Sequence, residues 1–485
     1  MEYIFPNPDE KICIVKCKDD DSIIHRGEKV SQRSSLYKKI ISELELPFHQ
    51  SVIKLHQCAR NLMKDFQGPN VLFLSNTDGG FAKCGITLME DGQSINYEHL
   101  NYVDLFIDEE SLKEGKLAIF SHELGHVMME NILRNFPCSN SSKQHVSMGI
   151  TDYFMAFSEG WAIHFERLAY ESISHYKELH NLKYNFHRDI GKLWQCEADH
   201  ELRINGVLEN IYIYNKILPS VYDLNLSIVD TIILEHTSTI FDKTKLKNAQ
   251  EMLSCEGVIA TLFYRMSTNT VLQNNYLSKD FYNKFLIKNL EDENDVKDLF
   301  TPFENVILKT FWIFYKIKDR LNENSIPFIE FIKVWSEYFP EDKEELLKLF
   351  ICTTIGKTIS KDLAKVYEES AYNGMVGNIK EVRKNFNKYK RIFGDLIKMI
   401  QNGNIKIDKN IGGEMWIENS YVKIPKYFWA GEEMIPLKIN LNTASIYDLM
   451  SFPKITIEKA KEIISKREEK GYFKSVEDIG IEYFK

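Results

Sequence analysis

The chain has 485 residues, of which 44% are hydrophobic and 27% charged, and its net charge at pH 7 is −9. This balance is typical of a folded protein with a large core and two or three domains, and the acidic charge argues against a nucleic-acid surface along the whole chain. No apolar run reaches the roughly 18 residues of a membrane span, and the amino-terminal segment lacks the apolar core of a secretion signal. With eight scattered cysteines and no CxxC pair, we expect a cytoplasmic protein with reduced thiols and no membrane partner.

The first clear elements are two β-strands, predicted over residues 71–76 and 81–89 around the turn sequence Thr-Asp-Gly-Gly. Outside residues 1–30, 70–110 and 403–440, most segments have helical periodicity. The predicted fold class is therefore mainly α with a small β-sheet, an α+β arrangement.

The next element is a predicted helix that contains the sequence His122-Glu123-Leu124-Gly125-His126. Histidines at positions i and i+4 lie about 40° apart around a helix, so both rings can face one metal ion with Glu123 beside it. An apolar stripe with helical spacing runs beside these polar residues: Leu117, Phe120, Leu124 and Val127. This pattern predicts a metal site, and the alternative is a helix whose histidines pair with neighbouring side chains.

A third ligand is expected, because catalytic zinc usually has three protein ligands and a water. The best candidate is Glu159, which lies on a second predicted helix some thirty residues after His126. The apolar residues of this helix recur at helical spacing: Phe157, Trp161, Phe165 and Leu168. Gly160 and Ala162 are small, which predicts a close approach of this helix to the first.

Together, His-Glu-Leu-Gly-His and the later Ser-Glu-Gly-Trp-Ala resemble the motifs of gluzincin metallopeptidases, especially the peptidase-MA-like group. The resemblance covers about fifty residues and implies a zincin-like domain that hydrolyses peptide bonds in peptide or protein substrates. It implies one Zn²⁺ per chain, held by His122, His126 and Glu159. Glu123 would be the general base that takes a proton from the zinc-activated water.

Enzymes of this type commonly have a further tyrosine, histidine or arginine that stabilises the oxyanion. The candidates for this role are His145, Tyr153, Tyr264 and Arg265. Glu166 follows Glu159 by seven positions on the same helical face and is a candidate to orient a ligating histidine. For each of these residues a structural role is the alternative. The resemblance also predicts that the strand around Gly85 borders the substrate cleft, with an ordinary hairpin as the alternative.

The carboxy-terminal segment, after a predicted β-hairpin and linker, contains a second distinctive pattern. It reads Ile-Asn-Leu-Asn-Thr-Ala, then Phe-Pro-Lys-Ile-Thr, and later Gly-Tyr-Phe, with helices predicted between these sequences. The pattern resembles the helix-hairpin-helix module of bacterial competence DNA receptors, which have Asn-x-Asn-Thr-Ala, Pro-Gly-Ile-Gly and Gly-x-Phe. The resemblance implies a small all-α domain.

The hairpin of this module differs from the family pattern at two positions. Lys454 and Thr456 stand where the family has two glycines that let backbone N–H groups approach a phosphate. The net charge of residues 437–485 is +1, which predicts little counterion release on DNA. Lys454, Thr456 and Lys459 are the candidate contacts, and either DNA or a protein could be the partner.

The predicted domains are an N-terminal region at 1–70, a zincin-like metallopeptidase domain with a long helical part at 71–400, a β-hairpin and linker at 401–436, and a helix-hairpin-helix module at 437–485. The predicted function is a zinc-dependent peptidase that the last module brings to a peptide, protein or DNA partner. One alternative is a non-catalytic scaffold that binds DNA or protein, and another is a protease of DNA-associated proteins. The sequence leaves the substrate open and does not distinguish an endopeptidase from an exopeptidase.

Overall fold

The computed structural model of the protein describes residues 2–7, 11–19, 25–64, 68–77, 79–90, 92–113, 115–134, 136–137, 147–173, 205–216, 241–322, 325–404, 416–418, 422–425, 432–435, 438–442, 444, 446–450, 452, 454–470, 473 and 476–480.

Helices dominate the described residues. In chain order they are α1 (Ser35–Leu44), α2 (Pro47–Met63), α3 (Glu109–Lys113), α4 (Ala118–Leu133), α5 (Tyr153–Ser172), α6 (Ala249–Leu253), α7 (Glu256–Ser267), α8 (Thr270–Asn274), α9 (Lys279–Tyr282), α10 (Asp295–Leu299), α11 (Pro302–Ile317), α12 (Pro327–Tyr338), α13 (Lys343–Thr353), α14 (Lys361–Met375), α15 (Ile379–Gln401), α16 (Ile446–Met450) and α17 (Ile457–Lys470). Among these helices, none combines the length and the apolar character that crossing a membrane requires.

The β-strands contain fewer of the described residues than the helices do. They are β1 (Cys13–Asp19), β2 (His25–Lys29), β3 (Val71–Leu74), β4 (Gly80–Glu90), β5 (Gln93–Leu105), β6 (Tyr214–Lys216), β7 (Phe241–Leu246), β8 (Trp416–Glu418), β9 (Val422–Pro425), β10 (Glu432–Ile435) and β11 (Lys438–Asn440). The predicted fold class, mainly α with a small β-sheet, is confirmed.

The first five strands form a small closed barrel in the order β1, β2, β4, β5, β3. The pairs β1–β2 and β4–β5 are antiparallel, whereas β1–β3, β2–β4 and β3–β5 are parallel. Alternate residues of each strand point into the barrel, and its core consists of Cys13, Val15, Val71, Phe73, Ile86, Leu88, Leu100 and Tyr102.

The predicted strand positions near residues 71–89 are confirmed, but β3 and β4 do not form a hairpin with each other. Each of them pairs instead with β5, on opposite sides of that strand. The register of β4 shifts between Cys84 and Ile86, and Gly85 at this bulge has φ 85°. Glycine is required there because a positive φ is strained for other residues.

Strands β2, β4 and β5 bring together a polar cluster, which we call the barrel cluster: His25, Lys83, Tyr102 and Asp104. The Asp104 carboxylate is fully buried, and its Oδ2 lies 2.6 Å from Nζ of Lys83. Nε2 of His25 lies 3.3 Å from the same Nζ, and Nδ1 of His25 lies 3.0 Å from the Tyr102 hydroxyl. The buried carboxylate therefore has a cation of the same barrel directly beside it.

The chain divides into two compact units. The first consists of Met1–Phe136, Trp161–His200 and Ser267–Lys318, and the second of Pro137–Gly160, Glu201–Met266 and Asp319–Lys485. The predicted domain boundaries at 70, 400 and 436 differ from this division and stay a prediction.

In the first unit, the helices pack around an internal ion pair and an aromatic cluster. Nζ of Lys54 on α2 lies 2.7 Å from Oε2 of Glu304 on α11, and both side chains are almost fully buried. Glu304 also closes a capping box with Thr301 at the start of α11. Trp161 on α5 contacts the rings of Phe311 and Phe314 on α11. These contacts fix α5 against the rest of the unit.

In the second unit, an aromatic cluster joins the beginning of α5 to α7 and α12. Phe157 contacts the rings of Phe263, Phe328 and Phe331, all of which are buried. The Thr151 N–H donates to the carbonyl of Ser254 at 2.7 Å, just before α7 begins.

The C-terminal module contains α16, the turn before α17, and a helical turn at Val476–Asp478. The side chain of Asn442 bonds the chain beyond α17 in both directions: its Nδ2 donates to Phe473 O at 3.0 Å, and its Oδ1 accepts from Phe473 N at 2.9 Å. Arg467 on α17 donates to the carbonyls of Leu441 and Ala444. These bonds join Asn442 and Ala444 to α17 and to the chain beyond it.

Candidate metal centre

Helix α4 brings two imidazoles together inside the first unit. His122 and His126 are 5% and 9% exposed, and their Nε2 atoms lie 3.3 Å apart. The helix is buried on almost every side, because Glu130 is the one exposed residue between Ala118 and Leu133. The predicted apolar stripe is therefore confirmed as part of a central helix, and its polar residues lie in the interior.

Glu159 on α5 supplies a third donor. One donor atom from each of His122, His126 and Glu159 lies within 4.8 Å of the other two. Glu159 stands just before the division between the two units, but this division falls within the continuous helix α5. Two positions later, Nε1 of Trp161 donates to the carbonyl of Gly125 on α4 at 2.9 Å.

The small residues of α5 face two different helices. A β-carbon on Gly125 would lie 3.2 Å from Cα of Ala162, so Ala162 makes the predicted close approach to α4. Gly160 does not: a β-carbon there would lie 2.6 Å from Cβ of Ile259 and 2.8 Å from the Glu256 carbonyl oxygen, both on α7. Residues two positions apart on a helix differ by about 200°, which is why the two small residues cannot both face α4.

Glu123 lies between the two histidines in sequence, and its side chain is 7% exposed. It faces the first residue of β4, because a β-carbon on Gly80 would lie only 3.1 Å from Oε1 of Glu123. The same β-carbon would lie 2.7 Å from Cγ2 of Ile119 and 2.8 Å from Cδ2 of Leu105. The sequence indicated Gly80 only as part of a turn, and the structure places it beside the carboxylate.

Glu166 lies behind His122. Its carboxylate is fully buried, and Oε2 lies 3.1 Å from Nδ1 of His122. A carboxylate at this nitrogen favours the tautomer with the proton on Nδ1, which leaves the lone pair of Nε2 available as a donor to a metal. The predicted orienting residue is therefore in contact with a predicted ligand.

The candidates for an oxyanion-stabilising group are more scattered. Tyr153 is buried at the beginning of α5, Tyr264 is half-buried on α7, and His145 lies outside the described residues. Arg265 donates to Oγ1 of Thr353 at 3.1 Å and lines a cavity of the second unit. The oxyanion role of these four residues stays a prediction.

In the C-terminal module, the three candidate contact residues are exposed and close together. Thr456 Oγ1 accepts from the Lys459 backbone N–H at 3.4 Å, at the beginning of α17, and Nζ of Lys459 lies 3.4 Å from the carbonyl of Lys454. The ammonium group of Lys459 therefore lies beside the turn before α17, at a position that the sequence predicted for DNA or protein contact.

Comparison with known proteins supports this module. The family model described as a helix-hairpin-helix motif matches residues 437–480. Searches of characterised proteins and of solved structures find no match. The predicted helix-hairpin-helix fold is therefore confirmed, and it is consistent with binding of nucleic acid. The gluzincin resemblance and the narrower resemblance to competence DNA receptors stay predictions.

Proposed function

We propose that this protein is a zinc-dependent peptidase whose metal is held by His122, His126 and Glu159. The observation that carries the proposal is the convergence of three donor atoms within 4.8 Å, two of them on buried imidazoles and one on a half-buried carboxylate. Two imidazoles and one carboxylate form a donor set that catalytic zinc uses, with the fourth position left for water.

The distance between the two ring nitrogens supports the same assignment. Two nitrogens bonded to one zinc ion at about 2.05 Å, with a tetrahedral angle between the bonds, lie about 3.3 Å apart. The Nε2 atoms of His122 and His126 lie 3.3 Å apart. Glu166 at Nδ1 of His122 adds the outer carboxylate that such histidines commonly have.

The residues around the donors have roles that follow from their chemistry. Bound zinc would lower the pKa of a water molecule and polarise the carbonyl of the scissile amide. Glu123 would accept the proton of that water and deliver it to the leaving amine. Gly80 lets the first residue of β4 lie directly against the Glu123 carboxylate, because a β-carbon at this position would lie within 3.1 Å of Oε1 of Glu123.

The test compares the wild type with Glu123→Gln, which keeps the shape of the side chain but removes its basicity. With labelled casein and a mixed peptide library as substrates, we expect Glu123→Gln to bind one equivalent of zinc and to lose activity by about a hundredfold to ten-thousandfold. Glu171→Gln is the matched control, because it makes the same change at an exposed position of α5.

The opposite results have clear meanings. If the zinc-loaded wild type hydrolyses no substrate and does not differ from Glu123→Gln in any assay, the peptidase proposal is wrong and a non-catalytic scaffold is favoured. If His122→Ala still binds zinc with the same stoichiometry and affinity, the metal lies elsewhere.

The helix-hairpin-helix match supports a second function, the binding of duplex DNA through residues 437–480. Lys454 and Lys459 would contact phosphates as point charges, since neither glycine of the family hairpin is present. With so few positive charges, the binding would be weak and would decrease as salt is added. A protease that acts on DNA-associated proteins would combine both functions.

Fluorescence anisotropy of a labelled 20-base-pair duplex at several salt concentrations tests this function. We expect Lys454→Ala combined with Lys459→Ala to weaken binding and to lower the slope against log salt by about two. Lys380→Ala combined with Lys388→Ala removes the same charge from exposed positions of α15 and should leave the slope unchanged. Equal binding by both double variants would exclude this contact surface.

A further inference from the structure

The second unit contains a cavity of about 290 Å³ whose lining combines a cation, a buried amide, aromatic rings and the exposed carboxylate Glu209. It lies among α7, α13, α14, α15 and the segment before β6. The residues that carry the argument are Asn210, Arg265, Ile355, Tyr367, Phe386 and Tyr389. The sequence did not predict a shared binding site for these residues, because they come from distant segments and belong to no common motif.

Arg265 is the cation of this cavity. It lies in the last turn of α7 and is half-buried, and one of its nitrogens donates to Oγ1 of Thr353 at 3.1 Å. In the described part of the chain, no carboxylate lies within ion-pair distance of it. A guanidinium has five N–H donors in a planar fork that matches a carboxylate, so donors remain for an anionic ligand.

Asn210 contributes an unused hydrogen-bond acceptor. It is 5% exposed, and its Nδ2 donates to the carbonyl of Thr353 at 3.1 Å. Its Oδ1 has no hydrogen-bond partner among the described residues. A buried acceptor without a donor costs about 1–3 kcal/mol, and a ligand with an N–H group would remove that cost.

The backbone around the cavity is held in an uncommon conformation. Ile355 has φ 53°, which is a true outlier for a β-branched residue. Asn210 also has a positive φ, 57°, a conformation that asparagine tolerates better than most residues. Strained residues persist where the surrounding structure fixes them, and they concentrate at binding sites.

Aromatic rings supply the rest of the lining. The rings of Tyr367 and Tyr389 lie 6.0 Å apart, and the Tyr367 hydroxyl lies 3.0 Å from that of Tyr214. Phe386 is 52% exposed, so a ligand in the cavity would cover apolar surface that otherwise faces water. The volume is at the lower end of the range for small-molecule sites, which suits one residue-sized group.

We propose that this cavity binds an aromatic α-carboxylate that carries an N–H group on the same carbon, as in an aromatic amino acid or the carboxy-terminal residue of a peptide. Arg265 receives the carboxylate, Oδ1 of Asn210 accepts from the N–H, and the tyrosines and Phe386 surround the ring. This site is independent of the metal centre.

The exposed thiol of Cys352 also lines the cavity and gives a direct measurement. N-acetyl-L-phenylalanine should slow the alkylation of Cys352 by iodoacetamide, and this effect should saturate as the ligand concentration rises. Mass spectrometry of the digested protein measures the alkylation of the Cys352 peptide. N-acetyl-L-phenylalaninamide, which lacks the negative charge, should need at least about tenfold higher concentration. Alkylation of Cys84, an exposed thiol of the barrel, should not change.

Equal protection by the acid and the amide, equal slowing at Cys84, or no protection up to about 10 mM would overturn the proposal. Two further ligands separate the sources of the same chemistry. If free phenylalanine protects Cys352 at a lower concentration than Gly-Gly-Phe does, the site binds an amino acid. If Gly-Gly-Phe protects at the lower concentration, the site captures a peptide terminus.

Arg265→Gln should raise the concentration needed for protection by the acid at least about tenfold and leave the weak effect of the amide unchanged. Arg391→Gln removes the same charge at an exposed position of α15 outside the lining. In this variant the acid should protect Cys352 at the same concentration as in the wild type. Unchanged protection in Arg265→Gln would contradict the proposal. If that variant does not fold in a thermal melt, the comparison of acid and amide on the wild type decides.

Discussion

The barrel cluster and the candidate metal centre each contain a fully buried carboxylate, Asp104 and Glu166, but they balance their charges differently. In the barrel cluster the carboxylate of Asp104 has an ammonium group of the chain, Lys83, at 2.6 Å. At the metal centre the close contacts are between imidazoles, 3.3 Å apart, and between an imidazole and the Glu166 carboxylate. Two imidazole lone pairs directed at one point form an arrangement that an external cation completes. The first cluster is therefore typical of a structural ion pair and the second of a ligand site.

The largest expected difference is the response to zinc. At a free zinc concentration about a thousand times its Kd, the wild type should gain about 4 kcal/mol in the free energy of unfolding. His126→Ala should gain almost nothing, whereas Lys83→Met should keep the full gain. Urea unfolding with zinc and with EDTA measures this gain, and an equal gain in His126→Ala would remove the distinction between the two clusters.

The next largest effect is the loss of the half-buried cation beside the fully buried Asp104. Lys83→Met should lower the free energy of unfolding of the metal-free protein by about 3 kcal/mol, because Asp104 would remain as a buried charge. The matched control is Lys16→Met, which breaks an exposed pair with Glu28 on the same barrel and should cost less than about 1 kcal/mol. Similar losses in the two variants would mean that Asp104 is not held by Lys83.

The third effect concerns His164 on α5, an imidazole that burial keeps neutral. Burial lowers the pKa of His164 on α5 from 6.5 to about 3. The unfolded chain then binds the proton first, so the stability from neutral His164 is present above about pH 6.5 and is lost as the pH falls toward 3. Between pH 7 and pH 5 the loss should be about 2 kcal/mol. His164→Asn should lack this part of the pH dependence in urea titrations with EDTA, and identical slopes would contradict a neutral buried ring.

The smallest expected effect is that of the carboxylate behind His122. Glu166→Gln should weaken zinc binding by about tenfold or more, because an uncharged amide no longer stabilises the proton on Nδ1 of His122. Competition with a fluorescent zinc chelator measures the affinity. Glu171→Gln, which changes an exposed carboxylate of the same helix paired with Arg167, should bind zinc as the wild type does. A loss of affinity in both variants would point to long-range charge rather than to the contact.

The sequence predicted the parts of the site that depend on local periodicity. The spacing of His122 and His126 on one helix, and of Glu159 and Glu166 on another, determines which side chains share a face, and the structure brings these residues together. The fold class was predicted from the same periodicity, and the helix-hairpin-helix module from its resemblance to a family motif.

The remaining features depend on contacts between distant segments. The parallel pairing of β1 with β3 and of β2 with β4 joins segments far apart in the chain, and strand patterns do not specify their partners. Gly160 was assigned to the wrong neighbour because its small size does not indicate direction. The cavity around Arg265 and Asn210 has no signal in the sequence, since its acceptor and its cation come from separate segments.

Gly80 has a consequence for any survey of mutational tolerance in this protein. Any side chain at this position begins with a β-carbon within 3.1 Å of Ile119, Leu105 and Glu123. In a saturation scan scored by activity, Gly80 should therefore tolerate as few replacements as His122, although it contributes no chemical group. Zinc content separates the two kinds of intolerance, because replacements at Gly80 should leave the metal bound and replacements at His122 should not.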